Sequence, residues 1–382
     1  MLRLRFVPPL LVLGCLLLTG PGRSADESRY SDGKQGAGEL KHIDGVPVLV
    51  LEGSPEDMGK QAALLIGKPL PKLLEFPRDL VKKRGAAWAW PLLIDTAKGM
   101  EPQFPTDHLK ELDALGKVAK VDRDLLLFGN TFPDISKVAG CSSLIVGKER
   151  SSTGGPLFGR NLDYPTLGYL EHYSLVTVSR PRGKHAFASI GFPGMIGCVS
   201  GMNDAGLALA VHEVHKTNDG SPGLDPKGIP YTLAFRRLLE ECTTVEEAEK
   251  VLRGMKRTTT LNLSVCDKNG GAVFEITTKT IVVRKPEADI CACTNHFCSK
   301  ELGAGVHCDR LPKLDACREG KEKLGLAEVA KKLDAVNQGQ GTLQTMIFEP
   351  AKLKLHLAIG QCPSSALPLK EIELGPLFKG GK

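Results

Sequence analysis

The sequence predicts an α+β fold in which antiparallel hairpins alternate with helices. After residue 140, short apolar, strand-like runs joined by turn sequences dominate, with a few helical segments inserted between them. Before residue 140, the apolar residues have mostly helical spacing. Two sheets packed face to face, with helices outside them, satisfy this count of elements. The 382-residue chain is long enough to bury a substantial core, in one large domain or two.

The first 25 residues have the pattern of an export signal. Two arginines give a basic start, Leu10–Leu18 form an apolar stretch too short to span a bilayer comfortably, and Gly22 and Ser24 fit a cleavage site. A lipoprotein anchor on Cys15 is disfavoured, because apolar residues continue beyond it. The sequence therefore predicts an exported protein, periplasmic or secreted, without stable membrane insertion once the signal is removed.

The charge pattern excludes one class of partner. The formal net charge of +6 is modest, and Lys and Arg are spread along the chain rather than clustered. This distribution gives no support for binding to nucleic acid. No nucleotide, metal or organic cofactor is indicated, and the oligomeric state is left open.

Residues 26–140 are predicted to be mostly helical. They begin with a polar, Gly-rich stretch, 26–40, which we expect to be a loose leader. Val46–Leu51 has the composition of a strand, and Ser54 followed by Pro and two acids has the pattern of a helix start. Further helices are predicted over 108–118 and from Asp122 to Phe128.

Residues 141–382 are predicted to contain most of the strands. Asn203 lies in the turn of a hairpin over 198–211, and helices are predicted over Tyr231–Glu241 and from the capping box at Thr244. A later helix is predicted over Leu326–Val336. The other predicted strands cover 173–179, 185–190, 262–266, 272–277, 280–284, 290–293, 342–348 and 353–359.

The most informative motif is Gly140-Cys141-Ser142-Ser143, followed nineteen positions later by Arg160-Asn161-Leu162-Asp163. If the Gly140–Cys141 bond is cut, Cys141 carries a thiol nucleophile and a free α-amine on one residue. That amine has a pKa of about 7.7–8.0 and can accept the thiol proton. A guanidinium at Arg160 would favour the thiolate, and a carboxylate at Asp163 would hold the new ammonium.

Four further motifs accompany this cysteine. They are Glu52-Gly-Ser-Pro-Glu-Asp-Met-Gly-Lys-Gln61, Gly159-Arg-Asn-Leu-Asp-Tyr164, Gly201-Met-Asn-Asp-Ala-Gly-Leu207 and Thr294-Asn-His-Phe297. In this order and rough spacing, the chain resembles the N-terminal-nucleophile (Ntn) hydrolases. More specifically it resembles the acyl-coenzyme A:6-aminopenicillanic-acid acyltransferase family, the C45-type autoproteolytic acyltransferases and hydrolases. It is more distantly similar to choloylglycine hydrolases and acid ceramidase.

The resemblance implies a four-layer αββα sandwich of two packed antiparallel sheets, and self-cleavage before Cys141. Residues 26–140 would then form an α chain and residues 141–382 a β chain, which together make one catalytic domain overall. The implied substrate is a small acyl amide or acyl thioester, to be hydrolysed or used for acyl transfer. The matching site residues are the nucleophile Cys141, its flanking Arg160 and Asp163, Asn203 holding the substrate carbonyl, Asn295 in the oxyanion hole, and Arg310 as a second active-site arginine.

The cysteine content supports an alternative hypothesis. Eleven cysteines are many for an exported chain, and Cys291, Cys293, Cys298, Cys308 and Cys317 cluster, which predicts one or two disulfides. A non-catalytic, disulfide-stabilised binding domain of the same fold would satisfy this pattern. Zinc is disfavoured, because the cysteine and histidine spacing in the cluster is not that of a standard tetrahedral site.

Two histidine-based interpretations were also weighed. A thiol peptidase could use an internal Cys–His pair, with His172, His185, His212 or His296 as the base. The run from His212 to His215 has two residues between the histidines where a zinc-protease motif has three, and it lies in a strand-like segment. We therefore interpret this run as non-catalytic.

Overall fold

The computed structural model describes residues 29–380. The predicted export signal and Cys15 lie outside the described residues. Within them, the strands form one ten-stranded and one six-stranded sheet. The order in the large sheet is β1-β2-β3-β6-β7-β8-β9-β10-β11-β12, and in the small sheet β13-β4-β5-β14-β15-β16, with the bounds that follow.

The strands are β1 (Gly33–Gln35), β2 (Gly38–Ile43), β3 (Val46–Gly53), β4 (Gly140–Val146), β5 (Leu157–Asp163), β6 (Leu175–Pro181), β7 (Phe187–Gly191), β8 (Ser200–Asn203), β9 (Ala208–Glu213), β10 (Leu261–Cys266), β11 (Gly271–Ile276), β12 (Ile281–Arg284), β13 (Ile290–Cys293), β14 (Thr342–Glu349), β15 (Lys354–Ala358) and β16 (Lys370–Glu373). The helices are α1 (Pro55–Ile66), α2 (Leu70–Leu74), α3 (Phe76–Lys83), α4 (Trp90–Met100), α5 (Thr106–Ala119), α6 (Arg123–Ser136), α7 (Tyr231–Glu241), α8 (Val245–Arg253), α9 (Arg310–Asp315), α10 (Leu326–Asp334) and α11 (Leu374–Phe378).

The hydrophobic core shows the order of the layers. One buried cluster joins the facing sides of the two sheets, with Val48 and Val176 from the large sheet against Phe158 and Phe348 from the small one. The outer side of the large sheet packs on α1 and α5, and the outer side of the small sheet packs on α9 and α10. The predicted fold class, an αββα sandwich, is confirmed. One strand pair, β3 with β6, is parallel, and the other pairs of the described strands are antiparallel.

Local sequence signals account for several element boundaries. The Ser54 hydroxyl accepts a hydrogen bond from the Asp57 backbone N–H, and the Asp57 carboxylate accepts one from the Ser54 N–H, so α1 begins with a capping box. The Thr244 hydroxyl caps α8 by accepting the backbone N–H of Glu247, whereas the Glu247 carboxylate accepts the N–H of Thr243 and not that of Thr244, so the predicted capping box is only half formed. The predicted helix at Tyr231–Glu241 has those bounds in the structure.

One sequence prediction in the N-terminal part is wrong. Residues 26–40 were expected to be a loose leader, but Gly33–Gln35 and Gly38–Ile43 form a hairpin at the edge of the large sheet. Cross-strand pairing with β3 determines this conformation, and the polar, Gly-rich composition of the segment conceals it. Among residues 29–380, no helix is both long and apolar enough to cross a membrane.

Candidate active site

Cys141 lies near the start of β4, on the face of the small sheet that meets the large sheet. It pairs with Leu162 of β5 and is fully buried. Ser143, two residues further along the strand, has the same orientation and pairs with Arg160. The antiparallel register of β4 and β5 therefore brings Cys141, Arg160 and the end of β5 together, although nineteen residues separate the first two in sequence.

The Arg160 side chain contacts the thiol directly. Its Nη2 donates to Cys141 Sγ at 3.5 Å, and its Nη1 donates to the Val211 carbonyl at 2.6 Å. Arg160 is fully buried, and its Nε has no hydrogen-bond partner among the described residues. The second bond anchors the guanidinium to the large sheet, so the positive charge is held beside the sulfur between the two sheets.

Asp163 lies at the end of β5, opposite Gly140, on the outer face of the small sheet. Its carboxylate accepts hydrogen bonds from Thr342 Oγ1 and Gln338 Nε2, both at 2.6 Å, and Arg310 Nη1 lies 3.5 Å away. The carboxylate is therefore fixed beside the Gly140–Cys141 bond.

Asn295 and Arg310 hold the Cys141 backbone. The Asn295 amide oxygen accepts the Cys141 N–H at 2.7 Å and a bond from Arg310 Nη2 at 2.9 Å. Arg310 Nη1 donates to the Cys141 carbonyl at 2.8 Å. Asn295 Nδ2 donates to the Glu213 carbonyl at 2.9 Å and, at 3.4 Å, to the carbonyl of Ala139. Both residues thus contact Cys141 from a loop and a helix start far away in sequence.

Glu213 is a site residue that the sequence reasoning missed. Its carboxylate accepts the Ala139 N–H at 2.7 Å, one residue before the predicted cleavage site, and the Tyr231 hydroxyl at 2.9 Å. Glu213 lies in the run from His212 to His215, which is interpreted from the sequence as non-catalytic because that run is compared only with a zinc-protease motif. Its position as the last residue of β9, two residues after the apolar run that ends at Val211, was the available signal.

Burial governs the protonation of this cluster in the uncleaved chain. It raises the pKa of the Cys141 thiol to about 11, although the neighbouring Arg160 opposes the change. Burial also raises the pKa of Glu213 to about 7. The uncleaved chain therefore holds a protonated thiol at neutral pH, beside a carboxyl group that titrates there.

The structure does not bring Asn203 into this cluster. Its amide nitrogen donates to the carbonyls of Leu239 and Cys242 at 2.9 and 2.7 Å, so both of its hydrogens are used at the end of α7. Its amide oxygen accepts the Leu207 N–H within the β8–β9 turn, at the end of β9 away from Glu213. In the structure Asn203 stabilises a turn, and its assignment to the substrate carbonyl stays a prediction.

The cysteine and histidine alternatives are not supported by the geometry. The ten described cysteines are all unpaired, so the predicted disulfides are wrong. Cys291 and Cys293 lie between the sheets, whereas Cys317 lies in the outer helical layer, and the small sheet separates them. The candidate bases His172, His185, His212 and His296 have other partners among the described residues, namely Glu171, Asp204, two serines and Thr294.

Two clefts border the residues that precede Cys141. The apolar cleft, of about 100 Å³, is lined by Ala139, Leu162 and Val211, with Glu213 as the charged side chain among its described lining residues. The open cleft, of about 680 Å³, is lined by Gly140, Asp163, Gln338, Lys83 and Arg84. Tyr164 borders both clefts. The predicted cleavage site therefore lies where an apolar space and a polar space meet.

The comparisons with known proteins agree with the predicted resemblance. Residues 150–308 match the family model of acyl-coenzyme A:6-aminopenicillanic acid acyl-transferase. The chain is 25% identical over 209 residues to the 40 kDa form of this acyltransferase from Emericella nidulans, covering 53% of this chain and 55% of that protein. It is 26% identical over 176 residues to acid ceramidase of Balaenoptera acutorostrata scammoni, covering 41% and 44% of the two chains.

The chain spans about half the length of the curated relatives it matches. Among solved structures, the Caenorhabditis elegans ortholog of N-acylethanolamine-hydrolyzing acid amidase is similar with a TM-score of 0.43 and 18% identity. That match covers 55% of this chain and 93% of that chain. The resemblance of this chain to the Ntn hydrolases, and within them to the acyl-coenzyme A:6-aminopenicillanic acid acyltransferase family, is confirmed.

Proposed function

We propose that this protein is a self-processing cysteine amidohydrolase or acyltransferase that acts on a non-peptide acyl amide or acyl thioester. The observation that carries the proposal is the contact set of Cys141: a guanidinium at its sulfur, an amide oxygen at its backbone N–H, and a fixed carboxylate beside the preceding residue. This arrangement suits a residue whose thiol and future α-amine must both be held in place.

Self-cleavage begins with attack of the Cys141 thiol on the Gly140 carbonyl carbon. The new C–S bond forms, the C–N bond between Gly140 and Cys141 breaks, and the thiol proton goes to the departing nitrogen. The product is a thioester on Cys141 with a free amine. Water then hydrolyses the thioester, which leaves a Gly140 carboxylate and restores the thiol.

Substrate turnover uses the same groups. The α-amine of Cys141 takes the thiol proton, the thiolate attacks the acyl carbonyl, and the amine returns the proton to the leaving nitrogen. Arg160 stabilises the thiolate and Asp163 holds the ammonium form of the α-amine. The Asn295 amide lies next to the reacting bond, and the hydrogen that it shares with the Ala139 carbonyl at 3.4 Å before cleavage becomes available to the developing oxyanion once residues 138–140 have left. Water or an acceptor amine then releases the acyl group from the thioester.

The uncleaved chain is expected to be inactive toward substrates. Its thiol is fully buried and protonated at neutral pH, and its nitrogen is part of a peptide bond. Cleavage releases residues 138–140 from the junction of the two clefts. The apolar cleft then suits an acyl chain, because its lining is almost entirely hydrocarbon, and the open cleft suits the more polar amine part of the substrate.

We also propose that the protein is exported. The basic and apolar pattern of the first 25 residues supports this proposal. N-terminal sequencing of the protein recovered from outside the cytoplasm should give a start at or close to Asp26. A full-length start at Met1 in that fraction would contradict it.

The test of the proposed function combines processing and turnover. The wild-type chain should convert with time into two fragments, one beginning at Cys141, and the processed protein should release amine from a panel of acyl amides. Cys141→Ala should do neither, and Cys198→Ala, which changes another buried, unpaired cysteine, should do both. Turnover by an uncleaved wild-type chain, or by Cys141→Ala, would refute the proposal.

A further inference from the structure

We propose that Gln338 is a positioning and specificity residue that excludes, from the acyl group at Cys141, an α-carbon branch in the direction of an L-residue Cβ; this inference rests on the proposed function. The observation is a lack of space at Gly140. A methyl group on its Cα would overlap the Gln338 side-chain nitrogen and would lie 3.1 Å from Asp163 Cβ. The Gln338 side chain, from a residue far away in sequence, therefore limits the size of the side chain that position 140 can carry.

Gln338 is not free to move aside without cost. Its Nε2 donates to Asp163 Oδ2 at 2.6 Å, and its backbone N–H donates to Thr342 Oγ1 at 2.7 Å. Thr342 Oγ1 in turn donates to Asp163 Oδ1 at 2.6 Å. The glutamine is exposed at the rim of the open cleft, so its conformation depends on the hydrogen bonds among Gln338, Thr342 and Asp163 rather than on packing. Displacing it would break a hydrogen bond to a carboxylate that the proposed chemistry needs.

The same restriction extends to substrates because the two reactions share an intermediate. During self-cleavage, Gly140 becomes an acyl group on the Cys141 sulfur, and during turnover the substrate acyl group takes that position. The atom next to the substrate carbonyl then lies where Gly140 Cα lay, against the Gln338 amide. Linear acyl groups with a CH₂ at this position fit, whereas a branch in the direction of an L-residue Cβ meets Gln338.

The first test is a suppressor experiment on self-cleavage. Gly140→Ala should slow cleavage by about tenfold to a hundredfold, the range expected for loss of a hydrogen bond to a charged group. Adding Gln338→Ala should restore the rate to that of Gln338→Ala alone. Gln340→Ala serves as the matched control: its side chain donates to the Cys362 carbonyl, so it should not rescue Gly140→Ala. Equal rates for Gly140→Ala and the Gly140→Ala/Gln338→Ala double variant would overturn the inference.

The second test uses processed enzyme and paired substrates. A linear acyl amide is compared with the two enantiomers of its 2-methyl derivative. We expect kcat/KM to fall at least about tenfold for the enantiomer whose methyl takes the L-residue Cβ direction, and Gln338→Ala to remove most of that difference. Equal discrimination by wild type and Gln338→Ala would refute the role of Gln338. Failure of the proposed function is distinguishable, since wild type would then neither cleave itself nor turn over the linear amide.

Discussion

Replacing Glu213 with Gln should stabilise the uncleaved protein at alkaline pH, although it replaces one of two hydrogen-bonded carboxylate oxygens with an NH₂ group. Burial raises the Glu213 pKa from 4.5 to about 7, so the folded state keeps its proton where the unfolded state has lost it. This group contributes stability that is present at low pH and is lost as the pH rises from about 4.5 through about 7. Each pKa unit corresponds to about 1.4 kcal/mol, so the buried carboxylate costs about 3 kcal/mol at pH 8.

The assay is denaturant unfolding in a Cys141→Ala background, which prevents cleavage. With and without Glu213→Gln, the unfolding free energies should be similar at pH 5 and should differ by about 2 to 3 kcal/mol at pH 8, with the glutamine variant more stable. Comparing the two variants cancels the other titrating groups. A glutamine variant that is destabilised equally at both pH values would refute the assignment of a buried, neutral carboxyl at Glu213.

Three further predictions concern single substitutions. Asp163→Asn should slow self-cleavage by about tenfold to a hundredfold, because it removes the charge that holds the new ammonium. It should not lower the unfolding temperature by more than a few degrees. Time-resolved gels measure the cleavage rate and thermal unfolding measures the stability; a normal cleavage rate would contradict the role of Asp163. Arg160→Met should raise the pKa of the Cys141 thiol in the processed enzyme by at least about one unit. The pH dependence of iodoacetamide alkylation measures this pKa. An unchanged pH dependence would refute the proposed stabilisation of the thiolate by Arg160. Asn203→Ala should lower the unfolding free energy by about 2 to 4 kcal/mol, because it leaves the Leu239 and Cys242 carbonyls without a donor. At temperatures well below its unfolding transition, the variant should still cleave itself at the wild-type rate. Slow cleavage with unchanged stability would instead show that Asn203 belongs to the active site.

Signals encoded in consecutive residues predicted the fold well. The caps at Ser54 and Thr244, and the helical spacing of Tyr231–Glu241, depend on contacts within one turn of helix, so local sequence is sufficient to find them. The hairpin at 33–43 was missed because its strand conformation depends on pairing with β3, which composition does not reveal. Likewise, the parallel pairing of β3 with β6 joins strands more than 120 residues apart.

The same difference between local contacts and contacts across the fold applies to the residues of the candidate site. Cys141, Arg160 and Asp163 were found because they lie on two adjacent strands whose spacing is visible in the sequence. The place of Asn203 could not be predicted, because an Asn in a turn and an Asn that donates to a substrate have the same sequence signature, and only the bonds to the end of α7 show that it lies apart from Cys141. Glu213 and Gln338 were missed because their roles arise from side chains that contact residues 139, 140 and 163 across the fold.

We propose that Cys141 first cleaves the chain, which releases its own nitrogen as a free α-amine, and then carries the acyl group of the substrate. The most direct test of this proposal is mass spectrometry of the enzyme quenched during turnover of an isotopically labelled acyl amide. We expect the label on the first residue of a fragment that begins at Cys141, with its α-amine unmodified, and no label on a fragment ending at Gly140. A labelled chain still joined at the Gly140–Cys141 bond, or a label on any other residue, would contradict the account.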